Sequence, residues 1–493
     1  LISIAQFIRI DRRKSDSLYL QIAYQFINAV QRGLIPVGVK LPGTRVWSEE
    51  LGVHRKTIVA AFEELEAQNW LVIKAKVGAF VQNPELKAIK DDDLALNPIK
   101  SVEKAKFSFN KSFILSSPYE KENHKFICND GQPDYRIIKT QELSRFYTGA
   151  LKRRNIQSNI GNYAVQENAF FIEQLSYYLN LTRGFHISKA HLLVAKSREM
   201  LFYTLAKMLF NEGDIVLVGE LSFFSMNMVF NQEKVKVKTV PLDEDGIDIS
   251  YIRKKYNKGD IRCVYLNPQQ SYPTTSVLSK ARRKELINLA EEYDFVIIED
   301  NEDFEFNYQK QIDLPMATNN ANGRIIHLGS IGKHLHPTFQ LSFMMAPPDF
   351  IAEAKKHVSV LNPQGNFVLE QALGEMIIEG DLFRYQKKAS KIYRERMLHF
   401  EALLKQYFGE SIKFERPANG FAFWIEFQEQ ISLVKLAQEM KSRDTFLPRI
   451  CMYQNKNQTA LRLGFAHWDL VEMEEFLRLF RESYEKVVKV LKY

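Results

Sequence analysis

Cysteine is scarce: Cys128, Cys263 and Cys451 are the only three in a chain of 493 residues. They lie far apart and in no Cys-x-x-Cys or histidine-flanked spacing, so neither a disulfide framework nor a zinc or other metal site is indicated. All three read as buried thiols. Long apolar runs are missing as well. No stretch approaches the roughly 18 consecutive apolar residues a membrane helix needs, and "LISIAQFIRIDRRKSDS" carries its charges after its apolar part, unlike a secretory leader. A cytoplasmic location with no membrane partner is expected. What is abundant is hydrophobic residues, 45% of a chain too long for one core, so at least two folded domains are expected.

Charge is unevenly spread. The first ninety residues hold thirteen Lys and Arg against eight Asp and Glu, which is five of the net +8 of the whole chain. An anionic partner for that end follows as a first expectation. The pattern there is local and regular. "SLYLQIAYQFINAVQRG" sets Leu18, Ile22, Phe26, Ala29 and Val30 on one helical face, with Gly33 closing it. "LIPVGVKLP" breaks helix and leads to Thr44 as N-cap of a short helix, Arg45 to Leu51. Gly52 then permits a tight turn, and "RKTIVAAFEELEAQNW" repeats Ile58, Ala61, Phe62 and Leu65 on one face. "LVIKAKVGAFV" reads as two strands around Gly78, a wing. In a helix-turn-helix the start of the second helix enters the major groove, so His54, Arg55, Lys56 and Thr57 are candidate DNA contacts, with Arg45 on the sugar-phosphate chain. Periodicity alone also allows an ordinary small bundle with basic residues outside.

The stretch from Leu18 to Val81 resembles the winged helix of the GntR family, with its "LP-x-x-R", "LGV-x-R-x-T" and "A-[FY]-x-x-L" elements. Gly43 stands where serine is usual, and Lys76 and Ala79 alter the wing. The resemblance implies binding to double-stranded operator DNA by a domain of residues 1–82. Residues 83–125 are rich in charge, Pro and Ser and low in apolar content, and are expected to be a mobile linker with short docked pieces.

From residue 126 to 493, helical patterns alternate with short β-branched runs such as "DIVLVGE", "RCVYLN", "FVIIED" and "RIIHLGS". This predicts an α/β domain with a mostly parallel sheet, whose ligands lie at the carboxyl ends of strands. Asp300 and Lys333 both fall there. Taken singly, each is as readily a helix cap or a solvated surface residue. The ordered set "GQPD", "EGDIVLVGELSFF", "VYLNPQQSYPTT", "FVIIEDNEDFEF", "LGSIGKHLHPTFQLSF" and "LRLGFAH" is similar to the fold-type I aminotransferase domain that follows GntR-type winged helices in MocR-type regulators. The resemblance implies a pyridoxal phosphate site. Lys333 matches the Schiff-base lysine, Asp300 the acid that holds the ring nitrogen protonated, and Phe224 the aromatic on the ring face. Arg462 matches the arginine for a ligand carboxylate, and Ser197, Arg198 and Ser330 fall where the phosphate is held.

Three positions depart from that pattern: Gln340 replaces the phosphate-binding arginine, Glu302 replaces a tyrosine, and Gly332 replaces a serine. Losing the arginine removes a charge-assisted contact of roughly 1.5–3 kcal/mol, and a carboxylate nearby works against a dianion. Lys196 or Arg198 could compensate. The expectation is a DNA-binding transcription regulator, with no residue assigned a catalytic role. Its aminotransferase-like domain binds pyridoxal phosphate, a small amine or amino-acid-like effector, or both, and forms a homodimer. A regulator whose pocket has lost the cofactor and a working aminotransferase are the alternatives.

Overall fold

The computed structural model describes residues 7–12, 16–75, 77–82, 104–159, 167–309, 313–363 and 365–491. It divides into two compact units, Leu1–Phe109 and Asn110–Tyr493. In the first, helices Leu18–Gln31, Thr44–Leu51 and Arg55–Ala67 precede the antiparallel pair Leu71–Lys74 and Gly78–Val81. The first helix buries Ile22, Ala23, Phe26, Ala29 and Val30, and the third buries Ile58, Ala61, Phe62 and Leu65, the faces expected from their spacing. Trp47 joins them: it is fully buried, 5.7 Å from the Phe26 ring and 5.0 Å edge-on from Phe62. Gly52 ends the second helix at φ 62°, a conformation that glycine adopts without steric cost. Thr44 is not the N-cap. Gly43 takes that place, and the Thr44 hydroxyl instead accepts a hydrogen bond from Arg55 Nε at 3.3 Å. Lys76 lies outside the described residues.

The second unit is built on a seven-stranded sheet, in the order Leu192–Ala195, Leu341–Met345, Ile325–Ile331, Val296–Asp300, Cys263–Leu266, Ile215–Gly219 and Lys236–Val240. Neighbours run parallel except at Leu341–Met345, which is antiparallel to both of its neighbours. Strands such as Ile325–Ile331 are buried at every residue, as expected where apolar clusters cover both faces of a sheet. A feature absent from the sequence reading is a second, antiparallel sheet, ordered Ile412–Phe414, Ala422–Phe427, Thr459–Gly464 and Met452–Gln454. It packs with helices Asp381–Phe408 and Leu470–Leu491 around a core of its own. All three cysteines are buried and free. Among the described residues no helix is long and apolar enough to cross a membrane.

The expected mobile linker needs correction over its second half. Residues 83–103 lie outside the described residues, but from Asn110 the chain belongs to the large unit and is tied along it. Ser112 Oγ donates to Gln232 Oε1 at 2.6 Å, and Glu122 pairs with Lys441 at 2.7 Å. His124 meets Asp444 at 3.1 Å, and Lys125 pairs with Glu475. Charges that look solvated in sequence find partners hundreds of residues away.

Candidate functional site

Lys333 reaches its place through a tight turn. The strand Ile325–Ile331 ends, Gly332 adopts φ +78°, and the amine enters a cavity at the carboxyl edge of the parallel sheet. A Cβ on Gly332 would lie 2.4 Å from the Phe339 carbonyl oxygen, so a serine cannot stand there without moving the backbone. The adjacent strand delivers Asp300 at its last residue. From across the sheet, helix Arg198–Leu209 contributes Arg198 at its first turn, with Ser197 as N-cap accepting from the Met200 amide at 3.4 Å. Arg462, on the antiparallel sheet, closes the far side. The four residues that sequence reasoning scattered over 265 positions thus line one cavity, which has a volume of about 80 Å³.

The cavity is filled with ion pairs. Lys333 Nζ donates to Asp303 Oδ1 at 2.6 Å and lies 3.4 Å from Glu302 Oε2. Arg198 Nη1 is 2.7 Å from Glu302 Oε2 and 3.3 Å from Asp300 Oδ2, with its guanidinium 4.2 Å over the Phe223 ring. Gln340 Nε2 donates to Glu302 Oε1 at 3.1 Å, so the residue in the arginine's place serves the carboxylate in the tyrosine's place. Tyr265 OH donates to Asp300 Oδ2 at 2.7 Å, while Asp300 Oδ1 is buried with no partner among the described residues. Burial drives Lys333 toward the neutral amine, but Asp303 and then Glu302 outweigh it and hold the ammonium above its ordinary value. Burial raises the Glu302 carboxyl, yet Arg198 and then Lys333 pull it below the usual range. Asp300 is raised, first by burial, with Arg198 opposing.

The remaining predicted residues fall elsewhere. Ser330 is committed to the backbone, its Oγ donating to the Glu302 carbonyl at 2.9 Å. Phe223, not Phe224, lines the cavity: Phe224 begins a helix, which turns its ring toward Tyr119 and Tyr272, at 5.8 and 6.2 Å. Lys196 lines a different cavity. Arg462 donates to the carbonyls of Asp130 (2.7 Å) and Pro273 (2.8 Å) and stacks on Tyr272 at 4.7 Å, leaving its other N–H groups for a ligand. Sequence reasoning missed Asp303, Tyr265, Phe223 and Tyr119. Asp303 had a signal, standing three residues beyond Asp300 in the acidic run "EDNED"; Tyr265 had none, since the register that pairs its strand with Val296–Asp300 appears only in the structure.

On the smaller unit Arg45, His54, Arg55 and Lys56 are exposed and Thr57 is half-buried. His54 caps the third helix, its Nδ1 accepting from the Lys56 amide at 3.2 Å. Arg55 and Lys56 open that helix, where its N–H groups and dipole favour an anion.

Pyridoxal phosphate does not fit the cavity as its residues stand. Small-molecule sites usually offer about 300–1,000 Å³, several times this volume. Four lining carboxylates, Asp130, Asp300, Glu302 and Asp303, face three cations, Arg198, Lys333 and Arg462. Arg198 and Lys333 are ion-paired with carboxylates, so neither stands free for a phosphate dianion, and Arg462 is bonded to two carbonyls with only its remaining N–H groups open.

Comparison with known proteins places both units. Residues 132–480 match the family of aminotransferase class I and II, and residues 18–81 match the bacterial regulatory proteins of the gntR family. The chain is 22% identical over 482 residues to the probable rhizopine catabolism regulatory protein MocR of Rhizobium meliloti, covering 96% of this chain and 95% of that one. It is 23% identical to the HTH-type transcriptional regulator YisV of Bacillus subtilis, over 97% and 98%. In fold it is similar to kynurenine aminotransferase of Pyrococcus horikoshii, with TM-score 0.65 at 18% identity over 73% of this chain and 91% of that one. A multiple substrate aminotransferase of Thermococcus profundus gives TM-score 0.66 at 18% identity over 74% and 92%. By its large unit the chain belongs to the aminotransferase class I and II family, and with the GntR-type domain that precedes it, it is a MocR-type transcription regulator.

Proposed function

We propose that this cytoplasmic regulator binds double-stranded operator DNA through Arg55, Lys56 and their neighbours, and that its aminotransferase-like unit binds a small amine or amino-acid-like effector without pyridoxal phosphate. One observation carries the reading: the chain's own side chains fill the cofactor's place. Arg198 pairs with Asp300 and stacks on Phe223, while Asp303 and Glu302 hold Lys333 as an ammonium. An ammonium has no lone pair for attack on an aldehyde, so neither imine formation nor transamination is supported. What the cavity does offer suits a zwitterion: carboxylates for an ammonium and the spare N–H groups of Arg462 for a carboxylate. A ligand that binds one arrangement of the chain better than another shifts DNA affinity by that difference. Two chains, joined as a homodimer, would present two winged helices to two half-sites.

The test is spectroscopic and functional. Pyridoxal phosphate added to purified protein is expected to give no new visible absorbance, while a small amino acid alters the gel shift on the cognate promoter. The cofactor-binding reading retains one observation, that Lys333 and Asp300 line the same cavity. A visible band that appears with the cofactor and disappears in Lys333→Ala selects that reading instead.

A further inference from the structure

A cavity of about 80 Å³ is small for any organic effector, so admitting one requires a wall to move. Most walls are fixed. Asp300 ends a strand buried on both faces, Arg198 is paired twice, and Arg462 is tied to two carbonyls and is 4% exposed. Tyr119 is different. It lines the same cavity yet is 52% exposed, and it sits on the segment by which the chain enters the large unit. Its ring leans edge-on against Phe224 at 5.8 Å.

Apart from His124, which stacks on Phe446 and meets Asp444, the ion pairs that tie the segment lie at the surface. The Arg449 side chain that pairs with Glu120 is 85% exposed, and the Lys441 and Glu475 partners of Glu122 and Lys125 are also solvent-facing. Exposed pairs of this kind contribute little to stability. Segments with few buried apolar contacts are the ones that open at low cost.

We propose that Tyr119 is a ligand-contacting residue of the effector cavity, and that Ser112–Lys125 is a strap which opens to admit the effector and closes on it through that tyrosine. The inference rests on the effector reading above. The strap lies where the chain enters the large unit. Arg462 and the carboxylates select the charges of the ligand, and Tyr119 limits its size.

The experiment uses the full chain with L-alanine and β-alanine as probes, two minimal zwitterions that differ in charge spacing. Binding is followed by calorimetry, and strap closure by hydrogen exchange of peptides within Ser112–Lys125. Expected are binding of at least one probe, tenfold or greater slowing of exchange in the strap, and both effects weakened tenfold in Tyr119→Ala but largely kept in Tyr119→Phe. Without any probe, Tyr119→Ala is expected to speed exchange across the strap several-fold. Heat of binding with an unchanged strap, or equal affinity in Tyr119→Ala, overturns the strap and leaves the effector reading standing. No heat with either probe counts against the effector reading for small zwitterions. The probe-free comparison then decides the strap alone, which falls if Tyr119→Ala leaves its exchange unaltered.

Discussion

Replacing Asp303 by asparagine asks whether Lys333 is an ammonium because of its partners. Asp303 is the nearer of the two carboxylates, at 2.6 Å against 3.4 Å for Glu302, and the amine's side chain is 8% exposed. Removing one partner of a buried pair costs about 3–5 kcal/mol. Because Glu302 stays and Asp303 is 18% exposed, about 2–3 kcal/mol is the fitting fraction, and the Lys333 value should fall. The sign can be checked through folding. A lysine whose folded value exceeds its unfolded one, about 10.4, stabilises the fold at every pH below 10.4 and loses that contribution as pH climbs through the raised value. The variant should therefore be less stable than the wild type at neutral pH, with the gap closing only in strong alkali. Competitive acylation at a series of pH values, read by mass spectrometry at the Lys333 peptide, gives the amine's titration directly. A wild-type midpoint at or below the ordinary lysine value, or an Asp303→Asn midpoint unchanged from wild type, would refute the reasoning.

Rebuilding the cofactor site should take several changes together: Arg198→Ala, Glu302→Tyr, Asp303→Asn and Gln340→Arg combined are expected to produce a visible band with pyridoxal phosphate, and Gln340→Arg alone is not. Arg198 and Glu302, 2.7 Å apart, should be energetically coupled by about 0.5–3 kcal/mol in a double-mutant cycle of denaturant unfolding, and additive costs would show the pair to be incidental. Arg55→Ala should weaken operator binding by about 1–3 kcal/mol if it reads a base, whereas Lys56→Ala should weaken all sequences alike and reduce the salt slope by about one; gel shifts across salt concentrations separate them. Trp47→Ala should destabilise the winged helix by about 3–5 kcal/mol, since the indole is fully buried between two rings, and denaturant unfolding of the full chain followed by hydrogen exchange of peptides from Leu18–Val81 measures it.

What could be read from sequence was what depends on near neighbours. The first and third helices of the first unit repeat every three or four residues, so their buried faces follow from spacing alone. The sheet edge on which Asp300 and Lys333 fall was legible because each follows a β-branched run, but their roles came only from the resemblance to fold-type I aminotransferases. What escaped depends on register between distant segments. Glu302 and Arg198 meet only because Val296–Asp300 and Leu192–Ala195 lie in one sheet with two strands between them, an order in space that no local pattern encodes. Phe223 and Phe224 differ only in which one starts the helix. Sequence therefore counted Gln340, Glu302 and Gly332 as three separate losses. In space Glu302 fills the gap and Gln340 and Arg198 satisfy its two oxygens, while Gly332 gives the chain room to pass Phe339 and bring Lys333 to the same carboxylates. Buried charges persist only when each has its partner, so a carboxylate at 302 without Arg198 and Gln340 would not stay ionised, and an arginine at 198 without Glu302 and Asp300 would not stay inside. On the reading proposed above, the substitutions act as one exchange, in which the protein's own charges stand where a cofactor's would.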